Sequence, residues 1–333
     1  MLQNSLPWQP AIYEHKAALI DRTPMEVACN AELFAQALLK EYEVYGADFL
    51  TVGLDVYNIE AEALGAELTV PGPCECPDLK GCLFSLDVLP GQLVLPAIPA
   101  AGRFQLLLDV AKAARRGVPD SVSLRVAASG PVTLAAKLVG MEALVVSLCM
   151  EDGHADRLLA FTTEIAEHWL VCLREQGFDA VVFDSMAAPP MFSPDLFSQA
   201  VLPRLQRVMG ILAEHGQQER ELVIGGDTTP VAALLKQTGA TILLCDYAAD
   251  AGAFKASLGD DTGVRVRRNI NPAALEGGDI ETLAQRFVAE LGLFTNAIAG
   301  TGILPYGFEP AHLHSFMQAV REREAEKLKR CCI

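Results

Sequence analysis

Six polar residues stand where short apolar runs stop. Asp55 follows Phe49 to Leu54, Ser129 follows Val122 to Ala128, and Asp184 follows Ala180 to Phe183. Asp227 sits in the turn Gly225-Gly226-Asp227-Thr228 after Leu222 to Ile224. Asp246 follows Thr241 to Cys245, and Asn269 follows Gly263 to Val266. Carboxylates gathered in a partly dry pocket repel one another, and burial raises some of their pKa values. Such groups suit proton transfer, or hydrogen bonding to a polar ligand. The densest group lies in Gly46 to Glu67, where one short turn carries Asp55, Asn58, Glu60 and Glu62. A plainer reading competes with this: acids at helix N-termini cap the helix, and others pair with Arg267 and Arg268. That reading is expected to hold for about half of the set, since caps and ion pairs are common.

The elements that must position these residues repeat regularly. Apolar runs centred near residues 50, 68, 125, 182, 223, 243, 265 and 296 read as eight strands buried on both faces. Helical segments lie between them. They run over Ala31 to Tyr45 with Asn30 as N-cap, Ile59 to Leu64, and about Gly102 to Arg116. Others cover about Asp156 to Gln176, Pro194 to His215 and Ile280 to Leu291. Eight alternating β and α units predict a TIM (β/α)8 barrel, an α/β fold whose ligands meet the carboxyl ends of the strands. A doubly wound sheet would need a Gly-x-Gly-x-x-Gly turn after its first strand, and none is present. Residues 1–333 read as one domain with a leader over about 1–30. The Pro- and Gly-rich loop insertion over about 71–102 is expected to cover one end of the fold.

Composition narrows the partners. With 333 residues, 51% of them hydrophobic and 20% charged, the chain can bury a large core. A formal charge of −16 argues against nucleic acid and makes a polyanionic substrate awkward. The N-terminal MLQNSLPWQPAIYEHK lacks a basic start and an apolar core, so it is not read as a signal peptide. No uninterrupted apolar stretch is long enough to span a bilayer. Nine scattered cysteines then read as reduced cytoplasmic thiols. Cys74, Cys76 and Cys82 match no common zinc pattern, His312 and His314 read as surface or cap residues, and Cys331 and Cys332 as a frayed tail.

Several of these turns, taken together, resemble the uroporphyrinogen decarboxylase superfamily. They are Leu54-Asp55-Val56-Tyr57-Asn58-Ile59-Glu60-Ala61-Glu62, Ser129-Gly130-Pro131-Val132-Thr133-Leu134 and Gly225-Gly226-Asp227-Thr228-Thr229-Pro230. Asn269-Ile270-Asn271-Pro272 and Gly300-Thr301-Gly302-Ile303-Leu304-Pro305 complete the set, in the family's order from about residue 20 to 325. The resemblance implies a TIM barrel and one of two activities. One branch decarboxylates uroporphyrinogen without a cofactor. The other comprises corrinoid-dependent methyltransferases, which pass methyl groups between a corrinoid protein and a thiol or other acceptor.

The first branch fits poorly. Its N-terminal arginine-rich segment falls on Pro24 to Asn30, which holds no arginine, and its late histidine is replaced by Thr301. Those arginines hold the many carboxylates of the substrate, a task suited to bidentate guanidinium pairing. The second branch fits better, with one departure. Its thiol-activating members hold zinc through positions that match Val223, Gly225 and about Gly302, none of which can ligate a metal.

The resemblance therefore implies a methyltransferase working with a corrinoid (cobalamin) carried on a partner protein. It would act on a small methylated donor or acceptor, and no zinc is expected. Demethylation of an ether or amine is favoured over methylation of a thiol, with a pocket acid protonating the departing atom. By the same resemblance Asp55, Asp184 and Asp227 are the catalytic candidates. Asn58, Glu60, Ser129, Gly226, Asp246, Tyr247, Asn269, Thr301 and Tyr306 are the candidates for binding substrate or corrinoid. A homodimer is compatible with such a chain. Uroporphyrinogen decarboxylase, with Asp55 facing the pyrrole nitrogens, and a non-catalytic corrinoid or tetrapyrrole binder are the alternatives.

Overall fold

The structure is a computed structural model that describes residues 6–331, with side chains through residue 327. Eight parallel strands form one sheet. In chain order they are β1 (Trp8–Ala11), β2 (Phe49–Val52), β3 (Ser123–Ser129), β4 (Asp179–Phe183), β5 (Glu221–Val223), β6 (Ile242–Cys245), β7 (Arg265–Ile270) and β8 (Ala297–Ile303). The spatial order is β1-β8-β7-β6-β5-β4-β3-β2. Its two edges meet, because Asp48 N–H donates to Trp8 O at 2.9 Å and Trp8 N–H to Asp48 Oδ2 at 2.8 Å. This nearly closed α/β barrel is the TIM architecture read from the alternation of runs and helices.

The strand count needs one correction. Leu68–Thr69 is not a barrel strand; it pairs antiparallel with Asp78–Leu79 in a small hairpin inside the insertion. The eighth barrel strand is instead Trp8–Ala11, within the segment read as a leader. Pro10 hides it, since proline argues against a central strand. Trp8 bonds towards β2 through both its amide and its carbonyl, so Pro10, two residues on, faces the same seam, where no regular ladder asks for its N–H. Two further strands run longer than expected: β7 contains Arg267, Arg268 and Asn269, and β8 contains Gly300, Thr301 and Gly302.

Helix Ala31–Tyr45 starts at Asn30, whose side chain accepts the Glu32 and Leu33 N–H groups, and stops at left-handed Gly46. Helix Ile280–Leu291 has the limits read from the sequence. The C-terminal helix Pro310–Cys331 includes one of the two tail cysteines; Cys332, like residues 1–5, lies outside the described residues. Outward-facing strand residues such as Leu50, Val126 and Leu243 join the helices in one large core. Inward-facing residues stack in layers. Phe49, Ile242 and Ile298 form a lower apolar layer, and Val56, Ala127, Val181, Phe183, Val223 and Leu244 an upper one. Between them runs a buried charged layer of Arg125, Glu221 and Arg267, with Gln9 donating to both Glu221 oxygens.

Candidate functional site

Two cavities open at the carboxyl ends of the strands, separated by Tyr13, Tyr57 and Ile303, which line both. The first, about 310 Å³, lies between the turn after β2, the segment after β1 and the insertion. Besides Tyr13 and Tyr57, its ionisable lining is Glu14, Asp55, Glu75, Cys76, Asp78 and Lys137. Asp55 is not a free acid. Arg103 grips it with both terminal nitrogens, at 3.0 Å to Oδ1 and 2.5 Å to Oδ2, while its Nε holds Glu62 at 2.6 Å. Asn58 bridges Asp55 Oδ2 (3.4 Å) and Pro77 O (2.7 Å), fastening the insertion over the turn, and leaves its own Oδ1 buried without a partner. Half-buried Glu14 has no such cation among the described residues. Burial pushes its carboxyl above the usual range, and its one side-chain neighbour is the Cys76 thiol at 3.6 Å, also pushed up by burial.

The second cavity, about 150 Å³, lies inside the barrel above β5 to β8. Tyr57 Oη donates to Ser185 Oγ at 2.9 Å, closing one wall. Asp246 accepts N–H bonds from Gly226 and Tyr247, both at 2.9 Å, and from Asn269 Nδ2 at 3.2 Å. Arg267 also lines this cavity, with its Nη1 2.8 Å from Glu221 Oε1. The space exists because β8 presents glycine inward. A Cβ on Gly302 would collide with the Tyr247 ring, and one on Gly300 would stand 2.5 Å from Asn269 Oδ1 and 3.0 Å from Arg267 Cγ. Val223, Gly225 and Gly302, the positions where thiol-activating relatives were read to hold zinc, come together around this cavity without a donor side chain. Among the described residues, no three His, Cys, Asp or Glu side chains converge as a metal site.

The profile of the uroporphyrinogen decarboxylase (URO-D) family matches residues 10–323. The chain belongs to the uroporphyrinogen decarboxylase family. Within it, the chain is 26% identical over 183 residues to the methylcobamide:CoM methyltransferase MtaA of Methanosarcina barkeri, a match covering 55% of this chain and 53% of that protein. The MtaA of M. barkeri strain Fusaro matches at 25% over the same length. The chain thus spans about half the length of these curated relatives. A solved methyltransferase from Methanosarcina mazei has a TM-score of 0.82 and 22% identity, covering 96% of this chain and 95% of that one. At that identity the likeness speaks for the barrel alone.

The family's motif residues divide sharply by position. Asp55 and Asn58 line the first cavity; Asp246, Tyr247 and Asn269 line the second. Asp227, expected in the pocket, is exposed, lines neither cavity and accepts the Thr229 N–H at 3.0 Å as a turn cap. Asp184 is fully buried beneath the mouth and accepts the Thr133 N–H at 2.6 Å, capping the helix that starts at Pro131. Burial pushes its carboxyl up to about 6, and its Oδ2 has no partner. Glu60 and Ser129 close on each other, with Ser129 N–H at 2.7 Å and Oγ–H at 2.6 Å, tying the helix at Ile59 to the end of β3. Thr301 accepts the Ala11 N–H at 3.0 Å and seals β1 to β8. Tyr306 donates to Arg22 O at 3.0 Å, away from both cavities, whereas Gly226 serves through its N–H on Asp246. Arg267 and Arg268 do not pair with the strand-end acids: Arg267 meets Glu221, and Arg268 meets Glu290 and the Asp246 carbonyl.

The sequence reading missed Tyr13, Glu14, Arg103 and the pocket role of Arg267. Tyr13 and Glu14 obey the same rule as the other candidates, a polar residue just past a strand, and were lost with the strand that Pro10 masked. Arg103 carries no local signal, since it meets Asp55 from 48 residues away.

Proposed function

We propose that this chain is a methyltransferase that moves a methyl group between a small molecule held in the barrel mouth and a corrinoid on a partner protein. The observation that carries the reading is the charge of the mouth. Glu14, Asp55, Glu75 and Asp78 face Lys137, the single basic side chain among the described residues lining the first cavity. A porphyrinogen with many carboxylates finds no cationic cradle there, because Arg103 is already committed to Asp55 and Glu62, and Lys137 to Asp78 at 2.6 Å. The relatives named for a methylcobamide support the methyl-transfer branch.

The residues at the open face fit a corrinoid. Exposed Tyr247, Ile303 and Met191 offer apolar contact to a macrocycle presented from outside, and the orphaned Asn58 Oδ1 is an acceptor for an amide N–H. When bound, the corrinoid's cobalt takes or gives the methyl group. The chain's own residues bind and orient the small molecule and manage its proton. Glu14 is the acid best placed for this, being in the mouth, unpaired with any cation and raised by burial. It protonates the oxygen or nitrogen that loses its methyl, the role expected of Asp55 or Asp227. Asp55 instead orients the turn through Arg103. Zinc does not fit: Val223, Gly225 and Gly302 offer no ligand, so no step runs through a thiolate on a metal.

The test is methyl transfer from small ethers and amines to a purified corrinoid protein, followed by the corrinoid's visible absorption, alongside metal analysis. Glu14→Gln is expected to slow the transfer about 100-fold. The wild-type rate should fall as pH rises through the Glu14 pKa, because the protonated form is the active one. Unchanged transfer in Glu14→Gln removes the acid, and about one tightly bound zinc per chain refutes the metal-free reading.

A further inference from the structure

The second cavity is balanced in charge but unsatisfied in hydrogen bonds. Asp246 directly follows β6, Arg267 stands on the neighbouring β7, and both line the cavity. The Asp246 oxygens accept only neutral N–H groups, from Gly226, Tyr247 and Asn269, so its charge is left to offset Arg267. Beneath them Glu221 stands between Arg125 and Arg267, and two buried guanidinium groups thus face two buried carboxylates. Asp184, another buried acid, lies outside this lining and caps the helix at Pro131. A bound anion would sit beside Asp246 and a bound cation beside Arg267, so neither gains from a site already neutral.

What the fold leaves open is one donor and one acceptor. Arg267 Nε and Asn269 Oδ1 are both buried without a hydrogen-bond partner. Their residues stand two apart on β7 and so share its inward face. The Asn269 amide cannot be turned round, because its Nδ2 donates to Asp246 and the reverse would set oxygen against carboxylate. A buried donor and a buried acceptor left unmatched each cost free energy, which favours a ligand that supplies both partners from one end. A primary carboxamide offers both without a charge. The inward glycines of β8 keep the cavity open, and its volume of about 150 Å³ suits a small molecule.

We propose that this cavity binds a small neutral carboxamide, its carbonyl oxygen on Arg267 Nε–H and its N–H on Asn269 Oδ1, with a methylated end towards Tyr13 and Tyr57. That wall is shared with the first cavity, which Glu14 lines. The methylated end rests on the methyl-transfer reading; the carboxamide does not.

The test is a ligand-detected NMR titration of the whole chain, without any corrinoid protein, using methoxyacetamide, methoxyacetate, 2-methoxyethylammonium and methoxyacetone. The amide is expected to bind at least about tenfold more tightly than either ion. It should also bind about threefold or more tightly than methoxyacetone, which keeps the carbonyl and loses the N–H. Asp246→Asn, nearly isosteric, leaves Arg267 in excess and turns the preference towards methoxyacetate; Arg267→Gln turns it towards the ammonium. Equal or tighter binding of either ion by the wild type overturns the proposal, as does no measurable binding of the amide or an unchanged order in Asp246→Asn. Methoxyacetone binding as tightly as the amide overturns the carboxamide assignment. The wild-type comparison decides even where a variant fails to fold. Because no corrinoid enters the measurement, failure here leaves the methyl-transfer reading standing, and failure of that reading leaves a measured amide preference intact.

Discussion

Removing Arg103 tests how the mouth is built. Its guanidinium joins four segments: Asp55 after β2, Glu62 in helix Ile59–Ala63, the Ala28 carbonyl at 3.2 Å, and the helix that begins at Phe104. The Arg103 and Asp55 side chains are only 8% and 2% exposed. In Arg103→Met the Asp55 carboxylate stays buried with little more than the 3.4 Å contact from Asn58. Breaking one side of such a pair costs about 3–5 kcal/mol, a large part of the roughly 5–15 kcal/mol that holds a native protein folded. Asp55→Asn leaves Arg103 with Glu62, so its cost is smaller, about 2–3 kcal/mol. The double variant has neither orphan. It should be less destabilised than the sum of the singles by about 2 kcal/mol or more, since residues in direct contact are not additive. Urea unfolding of the four proteins, followed by far-ultraviolet circular dichroism, measures the cycle. If Asp55 were instead a free pocket acid, Arg103→Met would cost under about 1 kcal/mol and the two changes would add within about 0.5 kcal/mol. Either result refutes the reasoning.

Two further outcomes follow from where the other acids lie. Asp184 has a folded pKa raised to about 6 from 3.8, so its stabilising contribution is full below about 3.8 and lost as pH rises through about 6. Asp184→Asn keeps an acceptor for the Thr133 N–H and removes that loss; its stability relative to wild type should rise by about 2–3 kcal/mol between pH 4 and 7. A pH-independent difference in unfolding free energy would sink this. Asp227→Ala removes a turn cap at an exposed site, so it should cost no more than about 1 kcal/mol and leave methyl transfer intact. A drop in transfer of about tenfold at unchanged stability would put Asp227 back in the site.

What could be read in the sequence is what local pattern encodes. The barrel followed from apolar runs separated by helix-length segments, and Asn30 marked the start of its helix because an N-cap is a contact over two or three residues. The misread strand fails for a similarly local reason. Leu68 to Val70 has strand composition and does form a strand, but nothing within it says that its partner is the Asp78–Leu79 hairpin arm. The acids show the limit most clearly. Asp55, Glu60 and Asp184 look alike in sequence, each polar and near a strand end. Their roles diverge because of Arg103, Ser129 and Thr133, which are 48, 69 and 51 residues away. A strand-end position brings a side chain to the mouth of the barrel, and the partner folded against it determines whether the acid braces a turn, caps a helix or stays open. Glu14 follows β1 at the mouth, and its side-chain contact is the Cys76 thiol. Pro10 hid this strand and the acid that follows it, and so the mouth acid raised by burial was the hardest to read.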